Sequence, residues 1–282
     1  MRFGEFELTT VSGGRFRVDG GTMFGVVPKA LWERVAPPDE RNAIPQATNC
    51  LLIRGRERTV LIDAGYGGKL SEKQRRQLTA ESGEPLLESL AAAGVAPERI
   101  DAVLLTHLHF DHAGGATRLG EDGRLVPAFP NAEYVVQRRE WELATADVPE
   151  LRGSYPAENF RPLAESGRLR LLDGDGEVLP GVRAVVTGGH TPGHQAFVLE
   201  SGGGTAVYLG DVCPTTRHLR TLWCMGYDLD LLATRRAKRS LLGRIADEGW
   251  LALFDHDAEV AAARIARDDV REFAVTEAVA AL

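Results

Sequence analysis

Cysteine is scarce in this chain. There are 3 in 282 residues, Cys50, Cys213 and Cys224, and no two stand at C-x-x-C spacing. That excludes a disulfide framework, and free thiols suit a reducing compartment. No run of eighteen apolar residues exists, so no segment reads as a membrane-spanning helix. The N-terminus, "MRFGEFELTTVSGGRF", lacks the apolar stretch of a secretory leader and alternates apolar and polar residues as a first strand would. A cytoplasmic protein is the expectation. A basic excess is also missing: the net charge is −7, which argues against nucleic acid, whose phosphates demand a basic face. The one basic run, "TRRAKR" at 234–239, sits in a helical pattern and reads as a solvated helix face. No P-loop or G-x-G-x-x-G segment supports a nucleotide cofactor, and no G-x-S-x-G elbow offers a serine nucleophile. Neither repeats nor a Pro- or Ser-rich linker divide the chain, so one domain over 1–282 is expected.

What is present describes a globular protein, with 44% hydrophobic and 26% charged residues. "NCLLIRGRERTVLIDAG" reads as a hairpin, and "IDAVLLTH" as a strand buried on both faces. "PLLESLAAAG" has helical spacing and ends at Gly94. In the second half "VRAVVTGG", "QAFVLES", "TAVYLGD" and "WLALFDHD" read as strands, and "DLLATRRAKRSLLGRIADEG" as a long amphipathic helix. The expected fold class is α/β: two mixed β-sheets packed face to face and flanked by helices, an αββα sandwich.

The densest chemical signal is "LLTHLHFDHAGG". Three of the seven histidines, His107, His109 and His112, fall within six residues, with Asp111 among them. His107 and His109 are two apart, so on extended backbone they point to one side. Asp111 and His112 follow where the strand gives way to a helix, and "AGG" would let the chain bend tightly. Further metal-capable residues end other apolar runs: His190 in "GGHTPGH", Asp211 in "YLGD" and His256 in "LFDHD". Imidazole and carboxylate suit zinc and related first-row ions. A lone histidine is usually a hydrogen-bonded core or surface residue. Here several candidates share strand ends, and they outnumber the protein ligands of one catalytic zinc. Two divalent metal ions are expected, zinc first, with iron, manganese or cobalt also accepted by these ligands. A carboxylate such as Asp211 can bridge two cations.

These residues resemble the metallo-β-lactamase fold superfamily, from about Thr48 to His256. The resemblance implies that His107, His109 and His190 hold one metal, that Asp111, His112 and His256 hold the other, and that Asp211 bridges. It makes antibiotic hydrolysis a poor fit, because true β-lactamases do not bridge with an aspartate at this place. His109 also stands where diiron flavoproteins of the fold carry glutamate, and only 26 residues follow His256, too few for the helical domain of a glyoxalase II. "MFGVVPKALWERV", "DERN", "GDVCPTTRHLRTLWCMGYD" and "FDHD" are similar to the quorum-quenching N-acyl-homoserine lactonase branch. That similarity implies a small-molecule substrate and opening of a lactone ring. The branch's tyrosine shortly after the bridging aspartate is replaced here by "VCPTTRH", and the 78-residue gap from His112 to His190 suggests an insertion serving as lid or dimer contact. By analogy, residues 1–47 would form the arm of a homodimer.

Two cations sharing a water would lower its pKa and supply hydroxide near neutral pH. Asp111 would act as the catalytic proton carrier to the leaving oxygen. Asp63 in "LIDAG" resembles the family's aspartate behind a ligand histidine, although a strand-end Asp also caps turns. His194 would hold the loop presenting His190, or lie at the surface. His218 would touch substrate, or solvent. Phe110, Trp223, Met225 and Tyr227 would line an acyl-chain pocket, or serve as plain core. Two rival functions accompany the lactonase: an aryl ester or phosphotriester hydrolase on the same site, and a ligand-binding effector of low turnover.

Overall fold

The computed structural model describes residues 1–279. They divide into two compact units, 1–15 with 48–174, and 16–47 with the chain from Asp175 onward. Two large mixed sheets carry the structure.

The first sheet begins with β1 (Arg2–Phe3) and β2 (Phe6–Asp19). The single N-terminal strand expected from alternation is thus a hairpin. Gly4, at φ +57°, takes the left-handed conformation that lets Phe3 pair with Phe6. β3 (Ala43–Arg54) and β4 (Thr59–Ile62) form the expected hairpin, with Leu51 opposite Ile62. β5 (Ala102–Leu104) lies parallel to β4, and all three of its residues are buried. A short hairpin, β6 (Thr117–Leu119) with β7 (Leu125–Pro127), stands apart. β8 (Glu133–Gln137) and β9 (Leu169–Leu172) then extend the first sheet, each parallel to its predecessor. The order is β1-β2-β3-β4-β5-β8-β9. The helix Pro85–Ala92 buries Leu86 and Leu90, one turn apart, and Gly94 beyond it takes φ +72°.

The second sheet runs in chain order: β10 (Gly176–Leu179), β11 (Val182–Val186), β12 (Gln195–Ser201), β13 (Gly204–Tyr208), β14 (Leu251–Leu253), β15 (Ala262–Asp268) and β16 (Glu272–Val279). Only β13 and β14 are parallel, and the helix Leu231–Glu248 makes the crossover that a parallel pair requires. Asp230 caps its first turn by accepting from Ala233 N–H, and Gly249 ends it at φ +66°.

Two expectations change. The gap between His112 and His190 is not simply an insertion, since it supplies β8 and β9 to one sheet and β10 and β11 to the other. The run "TRRAKR" is only partly a solvated face. Thr234 and Lys238 are buried, and the Lys238 ammonium donates to the Trp223 carbonyl. One lysine among exposed neighbours leaves no periodic signal that would mark it.

Strand direction positions the chemistry. β4, β5 and β8 are parallel, so Asp63, the histidine motif and the helix Arg138–Thr145 all follow strand ends on one edge of the first sheet. β11, β13 and β14 likewise run in one direction, so His190, Asp211 and His256 follow strand ends on one edge of the second. Within each sheet, alternate strands or parallel neighbours return the chain to the same edge of that sheet.

Candidate metal centre

In the first unit, β5 leads straight into the motif, and His107 and His112 are fully buried while His109 is nearly so. The rings of His107 and His112 lie 4.0 Å apart, and those of His107 and His109 4.5 Å apart. One ligand nitrogen from each of His107 and His109 comes within 4.8 Å of the other. Asp111 keeps 15% of its side chain exposed and places an oxygen 3.9 Å from Nε2 of His112.

Asp63 stands behind this motif. It takes φ +57°, a conformation asparagine and aspartate adopt more readily than other side chains. Its Oδ2 lies 2.9 Å from Nδ1 of His112, and its Oδ1 accepts from Thr106 N–H at 2.8 Å. The Thr106 hydroxyl donates to Oδ2 at 2.8 Å and sits 3.1 Å from Nδ1 of His107. A carboxylate on Nδ1 fixes the tautomer, and Nε2 becomes the nitrogen that would face a cation.

The glycines of "HAGG" act differently from the expected bend. Gly114 is right-handed helical, at φ −58°. The requirement is close approach: a Cβ on Gly114 or Gly115 would overlap the carbonyl oxygens of Tyr66 and Ala64. That contact lets Ala64 N–H reach the His112 carbonyl at 2.7 Å and Gly115 N–H reach the Gly65 carbonyl at 2.9 Å. The loop bearing Asp63 and the motif are therefore one hydrogen-bonded body.

In the second unit, Asp211 lies between two histidines. Its Oδ2 is 3.0 Å from Nε2 of His190, and its Oδ1 is 3.3 Å from Nε2 of His256. His194 supports it from behind, where Nε2 accepts from Asp211 N–H at 2.9 Å. The proton of that neutral ring must then sit on Nδ1, which meets the Thr187 hydroxyl at 2.5 Å. His256 donates from Nδ1 to the Ala47 carbonyl at 2.7 Å, so its Nε2 is the ligand atom. His190 has Nδ1 3.0 Å from Oδ1 of Asp228. Burial lowers the His190 pKa, but Asp211 and then Asp228 outweigh it and carry it up to about 10.

Two residues here were not singled out by sequence reading. Asp228 orients His190 across 38 residues of chain, and its other oxygen accepts from Met225 N–H at 3.1 Å. Asp255 is buried, with an oxygen 3.6 Å from Nε2 of His256, and Asp211, Asp255 and His256 bring one ligand atom each within 4.8 Å of one another. The strand-end position of "FDHD" was the available signal, but it named His256 alone. Asp211 and Asp255 beside His190 and His256 offer a donor set, and with Asp228 behind His190 they concentrate negative charge that a divalent cation would offset. The residues present fit the metals that the ligand pattern implies.

The remaining candidates are placed as follows. Phe110 is half-buried, and its N–H donates to the Ser154 carbonyl at 2.9 Å. Trp223 and Met225 are buried in a cluster with Met23, Phe24, Trp32, Ala36 and Ile44. Tyr227 is 44% exposed and donates its hydroxyl to Thr22. His218 is buried instead of solvent-facing: it stacks on Phe24 at 4.7 Å, with Nε2 2.9 Å from the Met23 carbonyl and Nδ1 2.7 Å from the Thr215 hydroxyl. Burial, reinforced by the charge of Lys238, lowers its pKa to about 3. It borders a cavity of about 90 Å³ lined also by Phe24, Ile44, Gln46 and Arg217.

Residues 43–265 match the Metallo-beta-lactamase superfamily. The chain belongs to this superfamily. A crystal structure of a probable metal-dependent hydrolase from Staphylococcus aureus is 35% identical, with 99% of this chain and 100% of that one aligned at a TM-score of 0.88. An N-acyl homoserine lactonase of Bacillus cereus is 31% identical over 163 residues, which are 54% of this chain and 58% of that protein. The chain thus spans little more than half the length of the curated relatives it matches. AidC, a dizinc quorum-quenching lactonase solved with a homoserine product, is 21% identical at a TM-score of 0.81 over 99% of this chain, and shows the fold. Two large mixed sheets with helices are the metallo-β-lactamase fold.

Proposed function

We propose that this member of the superfamily is a dinuclear metallohydrolase that opens lactone rings, with N-acyl-homoserine lactones as substrates and zinc as the preferred metal. The observation that carries this is the Asp211 carboxylate, which offers one oxygen beside Nε2 of His190 and the other beside Nε2 of His256. A structural aspartate has no need of two ligand histidines, whereas a bridging ligand has. In this reading His107, His109 and His190 hold one ion, Asp111, His112 and His256 hold the second, and Asp211 bridges. The bound cations would supply Lewis acidity toward the carbonyl oxygen and a lowered pKa for water.

The chain's own groups supply the rest. Asp111, the motif's one carboxylate and still 15% exposed, carries a proton to the leaving alkoxide oxygen. Asp63, Asp228 and the Ala47 carbonyl fix the tautomers of His112, His190 and His256, so each ring presents Nε2 without reorganising. His194 fixes the backbone of Asp211. Phe110 and Tyr227, the less buried aromatic candidates, face the acyl portion of the substrate. Names of curated relatives over half of the chain support the lactone. One observation favours a second reading, hydrolysis of aryl esters or phosphotriesters: the residues after Asp211 are Val212 and Cys213, both buried, and no tyrosine is there to meet a lactone carbonyl.

The test is metal analysis of purified protein, followed by acid release from acyl-homoserine lactones of several chain lengths, an aryl ester and a phosphotriester. Two metals with lactone opening at kcat/KM of about 10⁴ M⁻¹s⁻¹ or above support the reading. Faster ester or phosphotriester cleavage moves the substrate to the second reading. Absence of metal overturns both.

A further inference from the structure

Three consecutive residues of the histidine motif are gripped by one segment outside it. Leu108 N–H donates to Oε1 of Glu140 at 3.0 Å, and Phe110 N–H donates to the Ser154 carbonyl at 2.9 Å. Between them, the His109 ring lies against the Tyr155 ring, with centroids 4.7 Å apart and planes at 59°. The Tyr155 hydroxyl closes the arrangement by donating to the same Oε1 of Glu140 at 2.9 Å.

Glu140 lies in the helix Arg138–Thr145 and is fully buried. Glutamate is almost never buried to that degree unless its oxygens are engaged, because desolvation of a carboxylate is costly. Here one oxygen receives both a backbone amide of the motif and the phenol that packs on His109. The backbone on one side of His109 and the ring face of His109 are therefore fixed by one carboxylate.

We propose that Glu140 and Tyr155 are positioning residues that set the orientation of His109 toward its metal, an inference that rests on the dinuclear reading above. Leu108 points its amide at Glu140 while its neighbours His107 and His109 carry the ligand nitrogens. Anchoring that amide fixes the backbone of the loop that follows β5, and the Tyr155 ring limits rotation of the His109 imidazole. Tyr155 is not a substitute for a substrate-facing tyrosine, because its hydroxyl is directed at Glu140 and the residue is buried. The geometry also gives the long segment between His112 and His190 a function beyond scaffold.

The experiment loads cobalt(II) into the wild-type chain and into Tyr155→Leu, Tyr155→Phe, Glu140→Leu and Glu140→Gln. It reads metal stoichiometry, the visible cobalt spectrum and the rate of release to a chelator. Tyr155→Leu and Glu140→Leu are expected to release one of two ions about 10- to 100-fold faster, with an altered spectrum, as when the partner of a ligand histidine is removed. Glu140→Gln should behave as wild type, since an amide oxygen accepts both hydrogen bonds. Folded leucine variants with wild-type spectra and release rates would overturn the proposal. Should they fail to fold, Tyr155→Phe decides on the hydrogen-bonded pair, because it keeps the ring and removes only the hydroxyl that ties it to Glu140: faster release supports the proposal, and unchanged release overturns the role of the Tyr155–Glu140 bond in holding His109. A wild-type chain that takes up no cobalt brings down the dinuclear reading itself, which the variants' behaviour alone cannot do.

Discussion

Nδ1 of His112 and Oδ2 of Asp63 lie 2.9 Å apart, both side chains buried, across 49 residues of chain. The same carboxylate accepts from the Thr106 amide and hydroxyl, so one aspartate at the end of β4 organises the start and the end of the motif that follows β5.

Asp63→Ala should therefore weaken metal retention about 10- to 100-fold, as removal of such a partner does elsewhere. It should also cost about 1–3 kcal/mol of stability, because the buried Thr106 amide loses its acceptor. Asp63→Asn should lose less, since asparagine accepts a hydrogen bond and tolerates φ +57°. Chelator competition and urea denaturation of the two variants check this; wild-type metal retention in both would deny the carboxylate its orienting role.

Asp211→Asn should reduce bound metal from two ions towards one and abolish turnover. An amide keeps one oxygen but cannot serve both His190 and His256 as an anion. The check is elemental analysis beside the lactone assay. Full activity with full metal content would refute the bridging assignment.

His218 makes stability depend on acid. Its folded pKa of about 3 lies below the ordinary 6.5, because burial and then Lys238 disfavour the charged ring. The unfolded chain therefore binds a proton first as pH falls through the window from 6.5 to about 3. The neutral ring's contribution is complete above 6.5 and is lost below it, by at most about 1.4 kcal/mol per pH unit. Urea unfolding at pH 7, 6 and 5 should show a steeper loss for wild type than for His218→Gln. Parallel curves would mean that the ring is protonated in place.

Much of the site could be read locally. H-x-H on extended backbone puts two imidazoles on one side, and a metal-capable residue at the end of each apolar run marks a rim; both are consequences of short-range geometry. The hairpin of β3 with β4 and the helices Pro85–Ala92 and Leu231–Glu248 were legible for the same reason, through alternation, helical spacing and glycine stops. His218 shows the limit. A histidine near a cluster of polar residues looks solvent-facing in a sequence, and only its stacking on Phe24, far away in the chain, makes it core.

The sequence by itself determined which residue types could hold metal and at which strand ends they stand. Tertiary structure decided which partners orient them. Asp228 lies 38 residues from His190, Ala47 lies 209 from His256, and Glu140 lies 32 from Leu108. Such partners carry no period and no motif, because a hydrogen bond between distant segments is specified by how strands and helices pack. Among 40 acidic residues, the fold alone buries Asp228, Asp255 and Glu140 where a histidine or its backbone needs them.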